Sequence, residues 1–142
     1  MMYLYTLLTA LVVIVAIFLT PLRYKVWVAT ATIAATAIAA LTLVVKAFAD
    51  GTVTIASFST SMFGAESFVV DKLSSLFLLI ISIAAIATVL YSRGYVAGYM
   101  QRFSPAHFSL HYTALVLLVV SMMLVVMSSG GFSFLFSWEL MT

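Results

Sequence analysis

The chain contains no cysteine, only two prolines, and few charged side chains: six basic and four acidic. Without cysteine it forms no disulfide and offers no thiolate ligand for zinc or an iron–sulfur cluster. Soluble domains carry about 25% charged residues, whereas this chain has 7% and is 65% hydrophobic. A formal net charge of +2 is too small to indicate a nucleic-acid partner. The composition therefore predicts an integral membrane protein without a separate soluble domain.

Short catalytic motifs are also missing from the sequence. It has no phosphate-binding glycine loop, no nucleophile elbow and no HExxH motif. Nothing in the chain alone predicts hydride or acyl chemistry, so we expect no cofactor in it. Whether the protein is part of an enzyme stays open at this point.

Long apolar stretches organise the chain, since a transmembrane helix needs about 20 apolar residues. The N-terminal stretch lacks the basic region of a signal peptide, so it is interpreted as a retained helix. The predicted fold class is all-α, a single polytopic helix bundle of four complete helices plus the start of a fifth. The predicted helices are residues 3–20, 26–45, 73–92, 112–128 and the incomplete 132–142.

Two serines and two glycines, residues 128–131, precede the fifth helix. So short a turn predicts that the fourth and fifth helices are antiparallel neighbours. The residues after the turn reach only about 16 Å, near the bilayer midplane. We therefore expect that another polypeptide continues this helix, that protein buries its end, or that the sequence is a truncation.

The longest loop, residues 47–70, is predicted to be an extracytoplasmic, hairpin-like segment. Threonine and valine alternate after Gly51, and Gly64 separates the two halves. The pattern predicts two short strands joined by a turn.

The charged residues around this loop are given structural roles. Asp71 is expected to cap the following helix, where a carboxylate bonds free amides and favours the helix dipole. Lys46 and Lys72 are interpreted as helix-end side chains that snorkel to the membrane surface. Asp50 and Glu66 are interpreted as solvated loop charges.

Basic residues predict the orientation of the chain. The first and third loops hold four of the six, whereas Lys46 and Lys72 flank the second loop. The positive-inside rule then places the N-terminus on the extracytoplasmic side of the membrane. That membrane is expected to be the cytoplasmic (inner) membrane of a prokaryote. The four basic residues assigned to the cytoplasm are Arg23, Lys25, Arg93 and Arg102.

Glu139 is the main candidate for function, as the lone carboxyl of the last apolar stretch. Such a group is costly in a membrane and commonly serves a proton relay, ion coupling or a buried pair. It lies either close to solvent in an unfinished helix or on an ion path. On an ion path, desolvation favours the neutral form and a cation the ionised form, so the group can load and release a proton. The chain offers no basic residue at that depth, so the cation must come from outside it.

His107 and His111 are spaced four residues apart. They lack a third ligand, so a metal site is not favoured. His111, at the start of the fourth predicted helix, is a weaker candidate for proton relay, and loop packing is the alternative for both.

Three runs of sequence carry a family resemblance, FVVDKLSSLFLLII from Phe68, VLYSRGY from Val89 and FSFLFSWELMT from Phe132. They resemble the antiporter-like membrane subunits of the complex I superfamily. That superfamily includes proton-pumping NADH:quinone oxidoreductases, energy-converting membrane hydrogenases and multisubunit Mrp-type cation/proton antiporters. The hydrogenase branch is most similar, and residues 1–67 match only in helix count and the hairpin-like loop.

The resemblance implies that Glu139 belongs to a proton-translocating Glu–Lys pair. The lysine, a broken helix and further helices lie beyond this chain, so partner membrane subunits would supply them, with lipid around the assembly. The implied function is the N-terminal portion of a proton-translocating subunit, driven by electron transfer elsewhere in a redox complex. Any Fe–S cluster, flavin or NiFe centre would lie in partner subunits. The alternatives are an Mrp-type antiporter without redox chemistry and a purely structural membrane protein.

Overall fold

The computed structural model describes residues 16–17, 19–99 and 104–142. The first predicted helix, residues 3–20, therefore lies almost entirely outside the described residues. The described part of the chain forms four helices and one two-stranded antiparallel sheet. In chain order these are α1 (Leu22–Asp50), β1 (Val53–Thr60), β2 (Gly64–Val70), α2 (Lys72–Ala97), α3 (Pro105–Met127) and α4 (Gly131–Glu139).

Three of the helices are long and apolar enough to cross a membrane: Tyr24–Asp50, Lys72–Val96 and Pro105–Met127. The chain is thus a mostly helical membrane protein. The all-α class is confirmed only in part, because the loop between α1 and α2 folds into a small two-stranded sheet. The nine-residue α4 advances only about 12 Å, much less than the hydrocarbon thickness of about 30 Å.

The three long helices begin before the predicted apolar stretches, and α1 and α2 also end after them, whereas α4 ends at Glu139, three residues before the predicted residue 142. Pro21 precedes α1, and Gly51 ends it with a φ of 87°, a left-handed conformation that favours glycine. Proline at the start of α3 begins that helix seven residues before the predicted residue 112. Hydropathy marks the hydrocarbon-spanning part of a helix, whereas caps and breakers fix where its backbone ends.

The long helices pack through small side chains. The face that α1 turns to the core alternates alanine with larger residues, which lets the neighbouring backbones approach closely. Hydroxyl groups on these faces bond to their own helix; Ser82 Oγ of α2, for example, donates to the Leu78 carbonyl at 2.7 Å. The buried residues of α1 are Ala29, Ile33, Ala37, Ala40, Val44 and Ala47.

At the far end of the bundle from the hairpin, the start of α1 meets the end of α2. The Arg93 guanidinium lies 4.1 Å from the centre of the Trp27 ring. Lys25 is buried and its ammonium donates to the Ile17 carbonyl at 2.8 Å. Lys25 and Arg93 are therefore helix-end residues and not loop residues, although the positive-inside rule counts both positions.

Asp71 occupies the N-cap position of α2. Its carboxylate accepts a hydrogen bond from the Ser74 amide at 2.6 Å, and its carbonyl accepts one from Ser75 Oγ at 2.7 Å. Hydrogen bonds from the amide and then the hydroxyl of Ser74 hold the pKa of the Asp71 carboxyl below its usual range. Asp71 thereby fixes the point at which the hairpin ends and α2 begins.

Candidate functional site

The hairpin formed by β1 and β2 lies against the turn that joins α3 to α4. Its strands pair from Val53 opposite Val70 to Thr60 opposite Gly64. The backbone amide of Ser129 in the turn donates to the Ser67 carbonyl at 2.9 Å, and the two serine hydroxyls are 2.7 Å apart. The hairpin and the turn are thus hydrogen-bonded through both backbone and side chains.

Glu66 of β2 reaches from the hairpin to the first turn of α4. One carboxylate oxygen accepts from the Phe132 amide at 3.2 Å, and the other from the Ser133 amide at 3.1 Å and hydroxyl at 2.6 Å. Only 4% of Glu66 is exposed. The interpretation of Glu66 as a solvated loop charge is therefore wrong. Its carboxylate satisfies amides that a helix start leaves free.

Gly130, the N-cap residue of α4, explains why the carboxylate must come from elsewhere. Glycine has no side chain with which to cap its own helix, and none does so here. A Cβ atom at Gly130 would lie 1.9 Å from a Glu66 carboxylate oxygen. The φ of Gly130 is −106°, which any residue adopts. Glycine is required at position 130 because any side chain there would occupy the space of the Glu66 carboxylate.

These contacts set the ionisation of Glu66. The Ser133 hydroxyl, then the Ser133 amide, and more weakly the Phe132 amide, hold the pKa of Glu66 below its usual range, although partial burial opposes them. The positive end of the α4 dipole also favours a negative charge at this place. Glu66 is therefore an ionised carboxylate at neutral pH, fully engaged with α4.

Glu139 lies at the opposite end of α4 from Glu66. Its side chain is exposed, and within the described part of the chain its carboxylate makes no hydrogen bond or ion pair. Only Ser133 and Ser137 of α4 are buried. The carboxylate therefore stands on an apolar helix and points away from the core of this chain. Its exposed apolar neighbours are Leu135, Phe136, Trp138 and Leu140.

The structure does not bring His111 to Glu139. Both His107 and His111 belong to α3, at the end of that helix remote from α4. From His111 to the end of α3 the helix advances about 24 Å, twice the length of α4, so Glu139 stops well short of His111. The His111 ring contacts the Tyr112 ring edge-on, with centroids 5.2 Å apart. His107 Nδ1 lies 2.9 Å from Ser104 Oγ.

Both histidines line a cavity of about 240 Å³. Among the described residues, no three His, Cys, Asp or Glu side chains are grouped to hold a metal ion. The cavity walls are mainly aromatic and are formed by Tyr95, Val96, Tyr99, His107, Phe108 and His111.

No protein-family model matches the chain, and no curated protein matches it significantly. The geometry of α4 places two carboxylates at the site, one at each end of the helix. Glu66 is hydrogen-bonded to the helix start, whereas Glu139 is exposed among apolar side chains.

Proposed function

We propose that the chain is a proton-translocating, antiporter-like membrane subunit of a redox-driven complex of the complex I superfamily. In this function Glu139 is the group that carries the proton. The observation that supports it is the position of Glu139, a carboxyl exposed on an apolar helix and without a partner in the described part of the chain.

The energetic cost of that position favours function. With the start of α4 at the hairpin, the helix carries Glu139 about 12 Å inward, toward the middle of a hydrocarbon core about 30 Å thick. A carboxylate facing lipid there costs several kcal/mol. Such a group is stable when it faces water, is protonated, or meets a cationic side chain of another protein.

Those three conditions are the states of a proton carrier. Water access loads or releases the proton, the neutral form tolerates low dielectric, and a nearby lysine or arginine favours the ionised form. A change elsewhere in the complex that moves the cation toward or away from Glu139 would change its proton affinity. Electron transfer, with its Fe–S clusters, flavin or NiFe centre, belongs to the partner subunits.

The function is tested in vesicles that contain the complex purified through a tag on this chain. We expect proton uptake, followed with a pH-sensitive dye, when dihydrogen, formate or NADH is supplied as electron donor. Uptake driven only by an imposed sodium gradient would instead identify a cation/proton antiporter without redox chemistry. A complex that moves protons under neither condition would contradict the proposal and leave a structural role.

The orientation is a separate prediction, for which the cysteine-free sequence is well suited. Thr52 and Ala106 are exposed and lie at opposite ends of the bundle, just after α1 and at the start of α3. With the N-terminus outside, a membrane-impermeant maleimide should label Thr52→Cys in intact cells and spare Ala106→Cys until the cells are opened. The reverse labelling pattern would invert the topology.

A further inference from the structure

We propose that Glu66 is a positioning residue for Glu139. Its ionised carboxylate holds the first turn of α4 on the hairpin, so that the placement of α4 depends on the pH at the membrane face where the hairpin lies. The consequence for transport rests on the proposed function, whereas the effect on the position of α4 does not.

Between α4 and the rest of the described residues there are few other contacts. The helix packs on α3 and on β2, and most of its apolar side chains are exposed. At its start, the Phe63 ring of the hairpin stacks on Phe132 with centroids 4.0 Å apart. The polar contact between the hairpin and α4 itself is made by Glu66, which accepts from Phe132 and from two groups of Ser133. Loss of these three hydrogen bonds leaves the first turn of α4 held by apolar contacts, and the hairpin bonded only to the preceding turn, through Ser67 and Ser129.

Protonation of Glu66 weakens this attachment. An ionised carboxylate only accepts hydrogen bonds, whereas a carboxylic acid has one oxygen that carries a proton and donates. A protonated Glu66 therefore cannot accept from all three donors with the same strength. It also loses the negative charge that the helix start favours.

The groups in contact with Glu66 carry no charge, so its protonation is not coupled to that of a contacting residue. The groups that face Glu66 are Gly130, Phe132 and Ser133 of the turn and α4, with Phe58 opposite it in β1. The charged residues that flank the hairpin in sequence lie at its base, at the end of α1 and before and in the first turn of α2. These residues are Asp50, Asp71 and Lys72.

The sign of the pH effect follows from the lowered pKa of Glu66. The attachment is complete at any pH above the ordinary pKa of a glutamate, about 4.3. It weakens as the pH falls through the lower pKa that Glu66 has in the folded protein. Acid at the hairpin face thus releases α4, and neutral or alkaline pH holds it.

The test measures the distance between the hairpin and α4 in the whole complex. Ser59 and Leu135 are exposed, so spin labels on Ser59→Cys and Leu135→Cys report this distance by pulsed electron paramagnetic resonance in liposomes. We expect one narrow distance distribution at neutral pH, which broadens on acidification. With Glu66→Gln added, the distribution should be broad at neutral pH and no longer respond to pH.

Gly131→Ala is the matched control, because a Cβ at Gly131 meets nothing within 4 Å. It should keep the narrow, pH-dependent distribution. A narrow distribution at neutral pH in Glu66→Gln would overturn the proposal. If Glu66→Gln does not assemble, the test uses the labelled complex with native Glu66. A distance distribution that stays unchanged down to the lowest pH at which the complex is stable would equally overturn the proposal.

Transport supplies the second measurement. Proton uptake by the Glu66→Gln complex should fall several-fold at neutral pH and lose the acid limb of its pH profile. A broadened distance distribution in Glu66→Gln together with an unchanged pH profile of proton uptake would overturn the positioning role. Failure of the proposed function is recognised separately, either as full uptake in a Glu139 variant or as no uptake by the unmodified complex. The distances are measured without any transport.

Discussion

Glu139→Gln is expected to reduce proton uptake by the complex to background while the complex still assembles. Glutamine keeps the shape and much of the hydrogen bonding of glutamate but does not titrate near neutral pH. If a partner lysine faces Glu139, the substitution leaves an ammonium unpaired in low dielectric, and that lysine would deprotonate. Loss of charge is therefore the expected response, with little unfolding. Glu139→Asp keeps the titrating group but shortens its reach by one methylene, and should be intermediate.

Asp50→Asn is the matched control for this prediction. It makes the same change from carboxylate to amide, but Asp50 is exposed at the end of α1 and has no place in the proposed path. Uptake is measured in proteoliposomes at equal amounts of assembled complex, with the control expected to match the unmodified protein. Full uptake with Glu139→Gln would remove Glu139 from the proton path and return it to a structural role.

Gly130→Ala is expected to destabilise the protein and to impair transport. The new methyl group would lie 1.9 Å from a Glu66 oxygen, so the carboxylate has to leave the start of α4. The amides of the first turn then lose their acceptor without any change to Glu66 itself. We expect a thermal midpoint lower by several degrees and a several-fold loss of proton uptake.

The comparison with Gly131→Ala separates this effect from the general cost of changing a glycine. Position 131 is open and helical, so alanine there should be neutral or stabilising by up to about 1 kcal/mol. The thermal midpoint of each variant is measured by heating the purified complex and determining, by size-exclusion chromatography, the fraction that stays intact. Gly130→Ala combined with Glu66→Gln should be no worse than either alone, because both remove the same contact. Equal midpoints for the two alanine variants would refute this account of Gly130.

Local sequence patterns were sufficient for part of this structure. Apolar stretches identified the long helices, and the capping role of Asp71 depends on Ser74, only three residues away. The helix ends were harder to predict from the sequence, because polar residues such as His107 continue a helix beyond its apolar part. Hydropathy alone does not report on that continuation.

The role of Glu66 was missed for a different reason. Its partner Ser133 lies 67 residues away in sequence, and a carboxylate in a polar loop is ordinarily solvated. One signal was present: glycine at the start of an apolar helix leaves amides without a local cap. That signal shows that an acceptor is needed but not which residue provides it. For Glu139, the sequence indicates a costly carboxyl, while its cation is to be sought in another protein.

The long separation between Glu66 and Ser133 has a consequence for biosynthesis. Chains grow at about 5–20 residues per second, so the carboxylate is synthesised roughly 3–13 seconds before its hydrogen-bond donors on α4 exist. During that interval α1, the hairpin and α2 can already be in place. The last helix then enters beside a preassembled surface that offers one negative charge to its first amides. The hairpin surface thus guides the insertion of α4. A defect at Glu66 or Gly130 would therefore impair the folding of newly synthesised chains before it affects the stability of folded ones.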